Sequence, residues 1–386
     1  MAEIQRLAVS LAFVALFAVR ANAVPHAPAI DPPVVVQPAP AATEDLNRQA
    51  ASSGDLVLWT LHASADGAHP NADEQSLLWL MNSARQDPTE EGFFLADLDE
   101  SSVQSAIGYF GVDVGVLLQE FAATPAKPPA AFDARLYEAA YQHSLYLIAN
   151  DAQNHTGQFD RVATAGFHSW GMRGNVFSYA KSALYAHAGF NIDWGGSDGT
   201  GMQTGRGHRM AIMSVDGDYT NVGLAAVPEA NGATQVGPLV VTGNYAYAAT
   251  NYADHYNRFL VGTVWEDLDD DGRYDAGEGF AGVEVVPSVG PYYAVTGAAG
   301  GYAIPLPATV DPGPVAVSFS GDGFGETQVI DVGSDSELVD CLVTEALRAP
   351  EPGAFAALGA ALLTLGLQAE RAASRRRAKF IRLAVE

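Results

Sequence analysis

The chain has 386 residues and is 48% hydrophobic, enough for the ordinary cores of about two domains with tails. Its net charge is −25, from 45 acidic residues against 20 basic ones, which excludes the broad basic face that nucleic-acid binding needs. A single cysteine, Cys341, excludes an intrachain disulfide, so any exported domain must stand on packing or on bound metal.

The chain opens with MAEIQRLAVSLAFVALFAVRANA. Arg6 precedes an apolar run, and Ala21-Asn22-Ala23 fits a small-x-small cleavage site. Residues 1–23 are therefore expected to be a secretory signal peptide, removed by signal peptidase, although Glu3 and Arg20 depart from the pattern. The next stretch, VPHAPAIDPPVVVQPAPAA, has no helical or strand period. Residues 24–69 are expected to form a Pro/Ala-rich linker.

Within EQSLLWLMNSARQ, Leu77, Leu78, Leu80 and Met81 form a helical stripe beside Asn82 and Arg85. Residues 90–128 are expected to hold one or two helices. Phe93, Phe94, Tyr109 and Phe110 there either cover a ligand groove or pack as plain core. A second long helix is expected after Asp133, a good N-cap. Its Leu136, Ala140, His143 and Leu147 share one face, so His143 reads as a packed, hydrogen-bonded histidine.

After that helix come NHTG, AGF, RGNVFSYA, NIDWG, GRGHRMAIM, NVGLAAV and the strand GPLVVTGNYAYA. With Asn82, Arg85 and AAYQHS upstream, this order resembles the CAP superfamily of secretory, venom-antigen and pathogenesis-related proteins. The resemblance covers residues 70–258 and implies an α-β-α sandwich with a broad cleft. It also implies that His155 and His208 correspond to the two histidines of a divalent-metal site, for zinc or another ion. One glutamate of the family's metal site is replaced here by Gly174. The second has no clear match, Asp193 being the nearest acidic residue, with His187 on the preceding helix. A hydrolytic zinc site needs a third protein ligand and a base to activate water, and Gly174 supplies neither. The alternative is that His155 and His208 only fix the cleft by hydrogen bonds.

Then FLVGTVWED alternates in the manner of a strand and runs into DLDDDGRYDAGE. Asp267, Asp269, Asp271, Asp275 and Glu278 take positions 1, 3, 5, 9 and 12 of that loop, with Gly272 at position 6. Calcium wants six to eight oxygens, and this spacing wraps alternate carboxylates round one ion, with the Arg273 carbonyl as a further ligand. Strands flank the loop on both sides, so a helix-loop-helix unit is not expected. GVEVV, YYAVTGAAGGYAIPL and GPVAVSFSG continue as short strands between Gly and Pro turns. The segment resembles the calcium-binding B-repeat domains of surface adhesins, which implies a prealbumin-like all-β sandwich over residues 259–346. The expected fold class is thus α+β.

The C-terminal part reads Pro350-Glu351-Pro352, an apolar stretch, then Arg371, Arg375, Arg376, Arg377 and Lys379. Residues 349–380 resemble a PEP-CTERM sorting signal, which implies an exosortase-type enzyme as partner and a transient or permanent membrane anchor; the alternative is an ordinary C-terminal anchor. The expectation is an exported bacterial protein of the cell surface or extracellular matrix. Its CAP domain would bind a peptide, lipid or glycan, and a calcium-stiffened sandwich would serve as spacer. A metal-dependent, peptidase-like hydrolase and a purely structural envelope protein are the alternatives.

Overall fold

A computed structural model describes residues 56–196, 198–321 and 323–344. The expected signal peptide, residues 24–55 of the expected linker and the expected sorting segment lie outside the described residues. The described chain is α+β, with helices confined to its first part and strands alone after residue 258.

Its first element, β1 (Val57–Leu58), falls within the expected linker, yet residues 56–69 are not a free connector. β1 pairs in parallel with residues 292–293, more than 200 positions along the chain, and Trp59 is buried beside Tyr256 and Tyr292. Val57 and Trp59 give this short stretch an apolar character that the Pro/Ala composition around it hides.

Helix α1 (Ala72–Gln86) begins on a capping box. The Asn71 side chain accepts from the Glu74 amide, and the Glu74 carboxylate accepts from the Asn71 amide. Leu77, Leu78 and Met81 enter the largest core. Two polar side chains of the same helix are buried with them. Asn82 exchanges two hydrogen bonds with the Ala130 backbone, at 3.1 and 2.9 Å, next to β2 (Ala131–Phe132). Arg85 donates to the carbonyls of Ile212 (2.7 Å) and Tyr219 (2.8 Å), and burial lowers its pKa to about 10.

Residues 88–123 form three helices where one or two were expected: α2 (Pro88–Asp97), α3 (Ser101–Phe110) and α4 (Val114–Ala123). Local chemistry sets the breaks. The carboxylates of Asp87, Glu100 and Asp113 each accept from a first-turn amide, and Gly111 ends α3 in the left-handed region at φ 64°. Phe93 and Tyr109 are exposed, whereas Phe94 and Phe110 pack on the core. Among the described residues no single helix is long and apolar enough to cross a membrane.

Helix α5 (Ala134–Ala149) starts at Asp133, whose side chain accepts from the Arg135 amide. His143 is fully buried on it and donates from Nε2 to the Asn154 carbonyl at 2.9 Å. Burial depresses its pKa to about 4, so the imidazole stays neutral. Helix α6 (Gln158–Thr164) follows, then β3 (Ser169–Ala180), α7 (Ala183–Ala188), α8 (Gly207–Ile212), β4 (Asn221–Pro228) and β5 (Leu239–Ala248). The sheet order is β2-β4-β5-β3, with β2 parallel to β4 and the other pairs antiparallel. α5 and α6 cover one face through Leu136, Ala139 and Val162. α1, α7 and α8 share the core on the other face with Val222, Leu224, Val241 and Tyr245. Gly223 permits the closest approach, because a Cβ there would lie 2.1 Å from the α5 backbone.

The remaining strands build two sheets. One has the order β1-β8-β7-β10-β11, with β7 (Glu284–Pro287), β8 (Tyr292–Val295), β10 (Gly313–Gly321) and β11 (Phe324–Val332). In the other, β6 (Phe259–Trp265) pairs with β9 (Gly301–Pro305), β12 (Glu337–Leu338) and β13 (Cys341–Leu342). Leu260, Val264, Val285, Ile304, Val317, Phe319 and Cys341 fill the space between them. Burial pushes the Cys341 thiol up to about 12, so it behaves as a small apolar side chain.

The two parts meet along α1 and β6. Gln75 donates to the Thr263 hydroxyl at 2.8 Å, and Trp79 stacks edge-on against Trp265. Asp340 accepts from the Trp79 indole (3.0 Å) and the Thr263 amide (2.8 Å). Desolvation raises its pKa from 3.8 to about 6, so the folded state holds this proton more tightly than the unfolded chain does. The resulting stabilisation is present at low pH and is lost as pH rises through about 6. Asp340→Asn removes that titration. In urea unfolding followed from about pH 4 to about pH 7, the variant should lose about 2 kcal/mol less stability than the parent over the interval. Parallel pH profiles for the two proteins would refute the assignment.

Candidate functional site

Two places concentrate the polar chemistry: the histidine region of the α/β part and the acidic loop after β6. In the first, helix α7 runs into a π-turn, Gly189–Asp193, that ends with Asp193 in the left-handed region at φ 58°. A π-turn re-aims the side chain that follows it, and such turns concentrate at functional positions. Asp193 is buried and uses both oxygens on His208. Oδ1 accepts from the His208 Nδ1–H at 2.7 Å, and Oδ2 accepts from the His208 amide at 3.0 Å. The Asn175 side chain donates to the His208 carbonyl at 3.0 Å. Phe190 stacks on the imidazole. The ring is therefore fixed in orientation and tautomer, and its Nε2 is buried with no hydrogen-bond partner among the described residues.

His155 is placed differently. It lies at the start of α6, half-buried, and its Nδ1–H donates to the Gln158 side-chain oxygen at 2.7 Å. Gln158 is fully buried and donates in turn to the Gly243 carbonyl (3.2 Å) and the Asn244 side chain (2.9 Å). A Cβ at Gly174 would sit 2.4 Å from the Gln158 amide nitrogen. The glutamine thus fills the volume that a glutamate at 174 would take. His187, by contrast, is wholly buried and donates from Nε2 to Glu91 at 2.8 Å, joining α7 to α2.

Asp193 is thus joined to His208, and His155 to Gln158. Among the described residues the only cluster of three or more metal-ligating side chains with donor atoms mutually within 4.8 Å is Asp267, Asp269 and Asp271. Gln158 carries structural weight that the sequence did not signal. An amide at the first position of a short helix has no pattern of its own; it becomes informative only once Gly174 is known to lie beneath it.

The acidic loop is built by strand chemistry on both sides. β6 leads in, and Trp265 and Gly279 close the loop with an isolated bridge. Asp267 anchors the turn by accepting from the amides of Asp271 (3.1 Å) and Gly272 (2.8 Å). Asp271 accepts from the Arg273 amide at 2.7 Å. Gly272 supplies a φ of 76° at the expected position. The Arg273 guanidinium leaves the loop and lies 3.8 Å over the Phe94 ring of α2, which leaves its main chain as its contribution to an ion. Glu278, nearly buried, clamps the loop internally, because its oxygens accept from the amides of Leu268 (2.8 Å) and Asp275 (2.7 Å). Asp275 and Glu278 stand outside the three-carboxylate group. Burial, then the charges of Asp271, Glu278 and Asp269, raises the Asp275 pKa, and Arg273 offsets part of the rise. Hard carboxylate oxygens round a glycine turn fit calcium better than a softer ion.

No family model and no curated protein matches the chain.

Two substitutions test the histidine region. Asp193→Ala strands two buried donors of His208 and should cost about 2–3 kcal/mol in urea unfolding. Gly174→Glu must displace Gln158 and should cost about 1–3 kcal/mol, part of it recovered in the double variant with Gln158→Ala. Gly174→Glu with unchanged stability would show that Gln158 does not occupy that space.

Proposed function

We propose that this is an exported bacterial protein of the cell surface or extracellular matrix. A CAP-type α-β-α domain over residues 70–258 is its ligand-binding module, for a peptide, lipid or glycan. A prealbumin-like β-sandwich over residues 259–346 is its calcium-stabilised spacer. Signal peptidase and an exosortase-type enzyme would process the two ends. One observation carries the reading: three carboxylates, Asp267, Asp269 and Asp271, converge in a glycine-turned loop closed at its far end by Glu278. Helices on both faces of a small sheet support the CAP-type assignment.

The residues that would hold calcium are Asp267, Asp269, Asp271, Asp275 and Glu278, with the Arg273 carbonyl. An ion bound only by the folded state adds its binding free energy to stability, about 2.7 kcal/mol at one hundred times Kd. Calcium should therefore raise the thermal midpoint of the sandwich, and a chelator should reverse the rise. The Asp269→Ala/Asp271→Ala variant should show neither effect. A parent protein indifferent to millimolar calcium would sink the spacer reading.

A second reading, the metal-dependent hydrolase, is favoured by the His208 imidazole, held by Asp193 with Nε2 unpartnered and buried. An imidazole so oriented suits either a metal bond or a proton transfer. Zinc calorimetry on the parent and on His208→Ala decides it. Stoichiometric binding lost in the variant supports the hydrolase; no binding in either protein removes it.

A further inference from the structure

Strand β11 ends its sheet, at the opposite edge from β1, which lies against the α/β part where the Ala134 amide donates to the Leu61 carbonyl. An edge strand offers unpaired main-chain groups to any second strand, and proteins commonly blunt such edges with lysine, proline or a bulge. β11 runs for nine residues, FGETQVIDV, without lysine or proline, and its register with β10 has no shift. Val329 on it is 71% exposed, more than any other large hydrophobic side chain among the described residues.

The ladder decides which groups face off this edge. The Ser288 amide donates to the Ala316 carbonyl, so Ala316 turns its main chain toward β7 and away from β11. Val329 is the residue opposite Ala316. Main-chain direction alternates along an antiparallel strand, so Gly325, Thr327, Val329 and Asp331 point their N–H and C=O groups outward. Among the described residues no other segment pairs with them. The side chains of Thr327, Val329 and Asp331 are exposed, whereas those of Phe324 and Val332 are buried.

A second copy of the chain fits this edge. With Val329 set opposite Val329 of the second copy, Thr327 faces Asp331 and Glu326 faces Val332. Two valines then meet at the axis, a hydroxyl–carboxylate pair flanks them on each side, and no two carboxylates stand face to face. The Thr327 hydroxyl already meets the Ser318 hydroxyl at 3.1 Å and can accept there while donating to the aspartate. A two-fold contact requires one surface to match itself in this way.

We propose that two copies of the chain associate through β11, antiparallel and centred on Val329, so that their five-stranded sheets continue into one another. The pairing carries two α/β parts on one joined spacer, which makes the second of two binding events to a repeated ligand intramolecular. It depends neither on what the α/β part binds nor on whether the acidic loop holds an ion.

Sedimentation velocity on the full chain should show a concentration-dependent dimer. Val329→Lys sets two cations opposite each other at the axis, and Val329→Pro removes an outward N–H without removing a bond to β10. Each should weaken the dimer at least about tenfold. Oxidative cross-linking reads the register. Opposed residues of a hydrogen-bonded antiparallel pair lie about 5.5 Å apart at Cα, within reach of a disulfide. Val329→Cys should therefore cross-link to its own copy, whereas Thr327→Cys, which faces Asp331 instead, should not. Both side chains are exposed and Cys341 is buried, so neither the fold nor the native thiol interferes. A parent that stays monomeric at about 0.1 mM, a dimer indifferent to Val329→Lys or to Val329→Pro, or cross-linking of Thr327→Cys as readily as of Val329→Cys would each overturn the proposal.

Discussion

Strand β6 is the constraint on which both halves of the structure depend. It pairs with three other strands, and it has so little room that a Cβ at Gly262 would lie 2.1 Å from the Val339 carbonyl oxygen. Its Thr263 and Trp265 meet Gln75 and Trp79 of α1, and its end becomes the acidic loop. The loop is therefore not a flexible appendage. Any ion held there acts on a strand already fixed from four sides, which is why binding would appear as stability of the whole sandwich.

The α/β half is organised by buried polar side chains that reach across the fold. Asn82 and Arg85 on one helix hold the edge strand β2 and the turn between α8 and β4. Asp193 and Asn175 hold His208, and Gln158 ties His155 to β5. Each such group costs desolvation, and each is stable only because its partners are fixed by the apolar core around it. The same logic marks the exceptions. Among the described residues His208 Nε2 is one of several buried side-chain atoms without a partner, and it is the one whose ring is also held in a fixed tautomer by a carboxylate.

Much of this was legible in the sequence because the signals were local. The acidic loop shows in the alternation of its carboxylates about Gly272, between stretches that alternate as strands. The start of α5 shows in Asp133, and the packed state of His143 in its place on an apolar stripe. What escaped depends on distance along the chain. Val57 and Trp59 look like the end of a linker, because the strand they join is encoded more than 200 residues later. The raised pKa of Asp340 comes from its desolvation in the fold, which the hydrogen bonds from the Thr263 amide and the Trp79 indole only partly offset. Three helices were compressed into one or two over residues 90–128, because acidic caps separated by few residues break a helical pattern without a proline to announce it.

The most direct measurement is terbium luminescence on the full chain. Terbium occupies oxygen-rich calcium sites, and Tyr274, within the loop, and Trp265, at its edge, are placed to sensitise its emission. The account predicts emission on excitation of these rings, displaced by calcium in competition and absent in Asp269→Ala/Asp271→Ala. Emission that is absent in the parent, or that survives in the variant, would contradict the claim that residues 267–278 form the ion site.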